Sequence, residues 1–211
     1  MGHIITGIDQ IHEGYQYRIK DQHKARIYRY ICDAPEGITR KELVKKTGTR
    51  PSTISDMTNE LVEDNLIIES GRKNDGMLGR PEVFLHSNYQ RFFALALYIV
   101  SRELKGVLVD AGGTFYAEES RKLSAKTNNS AFIKSIYRLI DSLSEHIPEG
   151  SELIGVSITL PGYLNLSMKT WSYASRWPKI HNVSFTRVEE MIGLPVVVNR
   201  ALDAELQYLI N

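Results

Sequence analysis

The sequence predicts two fold classes in one chain, an α+β unit over residues 1–88 and an α/β unit over residues 89–211. Three observations predict them. Composition shifts across residues 79–88. Before the shift, apolar residues recur at helical spacing. After it, short β-rich runs alternate with helical patterns.

The first unit is built in order. Residues 20–33 carry Ala25, Ile27, Tyr28, Ile31 and Cys32 at helical spacing, and APEG breaks that helix. Cys32 reads as a small buried helix residue. A short helix over 40–47 follows, with Leu43 and Val44 inward and Gly48 ending it as a C-cap glycine does. Thr49 is suited to cap the third helix, and Pro51 fits its first turn. That helix runs to about Asp64 with Ile54, Met57, Leu61 and Val62 on one face. Two β-rich runs, NLIIES and EVFLH, flank the polar loop GRKNDGMLGRP and predict a hairpin. Helix, short helix, turn, helix and hairpin is the order of a winged helix-turn-helix.

A helix that buries one face in a small core can offer the other to the DNA major groove. The outward residues of the third helix are Arg50, Pro51, Ser52, Ser55, Asp56 and Asn59, with Thr49 and Thr53 beside them. Serine, asparagine and arginine hydrogen-bond base edges or phosphates, and Asp56 can accept from a cytosine amino group. Arg40, Lys41, Lys45, Lys46 and Arg50 outnumber Glu42 locally and form a basic patch. Arg72, Lys73 and Arg80 fall on the wing, where arginine enters a minor groove or meets phosphate. The partner expected for these residues is a double-stranded DNA operator. The same residues also fit a three-helix unit used for protein contacts, with the basic side chains as a solvated face.

The run GITRKELVKKTGTRPSTISDMTNELVEDNLIIESG, then GRPEVFLHSN, then the strand-rich half together resemble regulators of the ROK family (repressors, open reading frames and kinases), of the xylose-repressor and N-acetylglucosamine-repressor type. The resemblance runs from about residue 20 to the end. It implies a cytoplasmic DNA-binding repressor of sugar-related genes. Its second domain would be one lobe of an actin-like sugar-kinase fold, serving to sense a sugar effector or to dimerise. Because that fold has two lobes, the expectation is a fragment of a longer regulator or a naturally shortened one. The face left open would be apolar and favour a homodimer, which suits operators built from two half-sites.

One motif argues for a kinase at first sight. VDAGGTFYA, residues 109–117, is similar to the family's phosphate loop, which joins the first strand to the second. Here RFFALALYIV already precedes it as a strand, LKGVLVD is the second and TFYAEESRKL the third. The helix SAFIKSIYRLIDSLSEHI follows, with Ile133, Ile136, Tyr137, Ile140, Leu143 and Ile147 as its buried stripe. The motif therefore lies at the second turn and reads as a hairpin turn. The first turn, within YIVSRE, has no aspartate to organise a metal and no glycine to let amides approach phosphate. The family's Asn-Asp base falls on Asn199 and Arg200, and arginine stays protonated. A sugar kinase is the disfavoured alternative.

ITLPGYLN and YASRWPKIHNVSF resemble the stretches that line the family's sugar cleft, which makes Asn199 and Trp177 candidate sugar contacts. Trp171 and Trp177 fit plain core packing as well. The histidines are scattered and Cys32 is the single cysteine, so no zinc site, and no cofactor, is expected.

Composition bounds the rest. Net charge is +1, so a nucleic-acid site has to be a local patch. One cysteine excludes a disulfide framework and fits a reducing cytoplasm. The longest apolar run, FFALALYIV, is shorter than the roughly 20 residues that span a bilayer, so no membrane partner is expected. The amino end lacks the pattern of a signal peptide, and its Gly2 and Thr6 match to a myristoylation pattern is taken as chance.

Overall fold

A computed structural model describes residues 19–73 and 82–201. The chain divides into two compact units, one up to Tyr89 and one from Gln90.

The first unit opens with α1, Ile19–Cys32, then β1, Ile38–Thr39, α2, Arg40–Thr47, and α3, Pro51–Glu63. Strands β2, Ile67–Lys73, and β3, Glu82–Ser87, pair antiparallel, and β1 adds to β3 to give the order β1-β3-β2. The helices bury Ile27, Ile31, Leu43, Ile54, Met57 and Leu61 against Ile38, Ile67 and Leu85. That shared apolar contact holds short helices that would be marginal alone. Two expected core residues lie outside it: Ala25 is exposed, and Val62 is 37% exposed. Thr58 takes the inward place between Ile54 and Leu61 at helical spacing and is fully buried. Cys32 is half-buried, its Sγ 3.5 Å from Ser87 Oγ.

The second unit carries a five-stranded sheet. A 3₁₀ turn, Tyr89–Arg91, leads into β4, Phe92–Val100, then β5, Glu103–Asp110, and β6, Phe115–Lys122. These three form an antiparallel meander. Helix α4, Asn129–Ser144, crosses to β7, Glu152–Leu160, which pairs parallel to β4. A small antiparallel sheet follows from β8, Tyr163–Asn165, β9, Thr170–Tyr173, and β10, His181–Ser184. Helix α5, Thr186–Ile192, returns the chain to β11, Val196–Arg200, parallel to β7. The stripe of α4 is centred differently from the expectation. Phe132 and Leu139 join Ile136, Ile140 and Leu143 in the core, while Ile133, Tyr137 and Ile147 are only partly buried, Ile147 beyond the helix end.

Residues 110–114 form the β5–β6 hairpin turn, as the strand count predicts. One Asp110 carboxylate oxygen accepts the Gly112 and Thr114 N–H groups at 2.9 Å each, and the other accepts the Tyr116 hydroxyl at 3.3 Å. The amides and the carboxylate that a phosphate loop would present to nucleotide and metal are thus spent on one another. At the preceding turn Val100 pairs with Glu103, leaving only Ser101 and Arg102 to reverse the chain.

Candidate nucleic-acid interface

Local chemistry sets where α2 begins and ends and where α3 begins. Thr39 Oγ1 accepts the Glu42 N–H at 3.2 Å while the Glu42 carboxylate accepts the Thr39 N–H at 2.9 Å, a reciprocal cap that starts α2. Gly48 ends α2 at φ 68°, where a side chain would be strained, and its N–H donates to Val44 O at 2.9 Å. The cap of α3 is a correction to the sequence reading. Arg50, not Thr49, is the N-cap residue, and no side chain caps the helix; Pro51 stands in its first turn. At the far end Lys24 of α1 reaches Asp64 Oδ2 at 2.9 Å and Glu60 Oε2 at 3.3 Å. The Asp64 carboxylate holds the Lys24 ammonium above its usual range, against the opposing cost of burial.

The face of α3 turned from the core carries the predicted residues. Arg50, Pro51, Ser52, Asp56 and Asn59 are exposed, with Thr49, Thr53 and Ser55 half-buried beside them. Lys41, Lys45 and Lys46 are exposed on α2. Arg40 is half-buried and already engaged. Its Nε donates to Thr58 Oγ1 at 2.9 Å, and its Nη2 lies 3.0 Å from Asn59 Oδ1 and 2.7 Å from Glu69 Oε1. Thr58 and Glu69 were not singled out by sequence. The signal for Thr58 is its place in the stripe Ile54–Thr58–Leu61; Glu69 gives none. Arg72 and Lys73 fall on β2, but their side chains lie outside the described residues, as does all of Arg80 and the GRP motif.

The two candidate sugar contacts differ. Asn199 Nδ2 donates to Ser157 Oγ at 3.2 Å between β11 and β7, and the amide remains half-exposed. Trp177 is 1% exposed and packs edge-on to Trp171 with ring centroids 6.2 Å apart. It offers no ring face to a sugar, and the core reading replaces the stacking one. Trp171 in turn donates to Pro161 O at 2.8 Å, which satisfies its buried indole N–H. Among the described residues, no three histidine, cysteine, aspartate or glutamate side chains gather in a way that could hold a metal, and no helix is long and apolar enough to cross a membrane.

No family model matches the chain. A xylose repressor of Bacillus spizizenii is 28% identical over 172 residues, which cover 79% of this chain and 43% of the repressor. The DNA-binding transcriptional repressor Mlc of Escherichia coli K12 is 25% identical over 195 residues, 90% of this chain and 47% of Mlc. A crystal structure of a ROK family transcriptional regulator, a homologue of E. coli Mlc, superimposes with a TM-score of 0.61 at 22% identity, covering 86% of this chain and 46% of that one. The chain spans less than half the length of these proteins. Over most of its own length it is homologous to repressors of the ROK family and shares the fold of a ROK family regulator.

Proposed function

We propose that the chain is a sequence-specific DNA-binding transcriptional regulator, a repressor of sugar-related genes. Residues 1–88 act as a winged helix-turn-helix with α3 as the recognition helix. Residues 89–211 act as a non-catalytic ROK-like lobe that senses a sugar or dimerises. The observation that carries the reading is the two-sided character of α3: Ile54, Met57 and Leu61 are buried while Arg50, Ser52, Asp56 and Asn59 are exposed beside Lys41, Lys45 and Lys46 of α2. Homology to the xylose repressor and Mlc supports it. On this reading the protein works in the cytoplasm and binds a duplex operator as a homodimer.

A gel shift against duplex from the protein's own promoter region tests the reading. Arg50→Ala should weaken binding about tenfold, and Ser55→Ala by less, in line with single contacts to bases or phosphates. Unchanged binding in both variants sinks the assignment of α3. The engaged Asp110 turn and the arginine at position 200 weigh against phosphoryl transfer. Incubation with ATP and either glucose or N-acetylglucosamine should accordingly yield no sugar phosphate.

A further inference from the structure

Arg40 does something that a free basic residue on a DNA-facing patch does not. Its guanidinium is spread over three partners on two elements: Thr58 and Asn59 of α3, and Glu69 of β2. Thr58 Oγ1 is fully buried, accepts from Arg40 and donates to Ser55 O at 3.1 Å. The planar fork is therefore held at a fixed place, with Glu69 offsetting its charge. Asn59 is exposed, and its carbonyl oxygen is turned to Arg40 Nη2 at 3.0 Å.

We infer that Arg40 is a positioning residue that sets the polarity of Asn59, fixing its amide so that it reads base edges as a hydrogen-bond donor. This rests on α3 being the recognition helix. Asparagine grips adenine with both ends of its amide, the oxygen accepting from N6 and the nitrogen donating to N7. Arg40 engages that oxygen and leaves Nδ2 as the reading end. The base-edge groups that suit a donor are guanine O6, the N7 atoms of guanine and adenine, and thymine O4. A rotamer fixed in this way discriminates better than one free to flip, since the wrong orientation is no longer available to the wrong base. Lysine at position 40 would keep the charge but lose the fork.

The test uses the full chain and duplexes selected by it from a random pool. Thermal unfolding of each variant checks that it folds. In the selected site, one base pair should lose its preference about tenfold in Asn59→Ala, the size of an ordinary mismatch effect. Arg40→Lys should lose preference at that same base pair, with affinity for the remaining positions kept. The double variant should be no worse than either single one, since the two residues act as one contact. A uniform loss of affinity in Arg40→Lys, with preference at the Asn59 base pair intact, overturns the inference and makes Arg40 a phosphate or packing residue. Failure of the parent chain to enrich any sequence strikes the DNA-binding reading itself and takes this inference with it.

Discussion

Gly106 sits where the central sheet meets α4, and its lack of a side chain is what lets them close. A Cβ there would stand 2.7 Å from Leu143 Cδ1 and 2.8 Å from Leu97 Cδ2, both buried. Gly106→Ala should cost about 1–3 kcal/mol by overpacking, read as a lower denaturant midpoint; an unchanged midpoint would mean that the leucines shift without cost. Tyr28 ties α1 to β3 through a 3.2 Å hydrogen bond between its hydroxyl and Ser87 Oγ. Burial, partly countered by that bond, pushes its hydroxyl up to about 12. The unfolded chain gives up this proton near pH 10, while the folded chain keeps it to about 12. The stability due to the neutral hydroxyl is therefore whole below about pH 10 and declines as the pH rises toward 12. Tyr28→Phe should flatten this decline in urea melts taken across the alkaline range. Identical slopes in the two proteins would remove Tyr28 as its source.

One threonine stands before each helix of the pair, and only one acts as a cap. Thr39→Ala should cost about 1 kcal/mol, because it frees the Glu42 N–H at the start of α2. Thr49→Ala should stay within about 0.5 kcal/mol, because Thr49 makes no cap bond to α3. Equal losses in chemical denaturation would restore Thr49 as a cap. The pair marks how far the sequence is legible. The helices and strands are readable because Ile54, Met57 and Leu61, or Phe93, Leu95 and Leu97, repeat at the helix or strand period. The cap is misread because α3 begins at Pro51, which puts Arg50 rather than Thr49 at the N-cap, and capping preference is a local tendency that chain geometry overrides. β1 is two residues long, too short to show a period. The outward surface of α3 follows from the same periodicity, so most of the candidate interface is readable too. The engagement of Arg40 is not, since its partners Thr58 and Asn59 lie 18 and 19 residues away and only the fold brings them near. Trp177 likewise looks available until Trp171 is packed against it.

At the scale of the whole molecule, charge decides how DNA binding should depend on salt. The chain is nearly neutral at +1, so long-range attraction to a polyanion is weak and the local cations must supply the electrostatic part. Lys45, Lys46 and Arg50 are exposed around the turn that leads into α3. Three phosphate contacts per copy release enough counterions to give a slope of log affinity against log salt of about −2.7, and two copies on one operator about −5.4. The slope thus reports stoichiometry as well as site. Lys45→Ala and Lys46→Ala should each make it shallower by about 1 per copy without changing which sequence is preferred, because phosphate contacts position the protein and base contacts specify it. Titrations of the selected duplex between about 50 and 200 mM salt span enough range to separate one copy from two. A slope near the smaller value, with binding strong and specific, would mean that a single copy suffices and would count against the homodimer. A slope that neither lysine variant alters would move the phosphate contacts off α2, and with them the basic patch on which the DNA-facing surface is drawn.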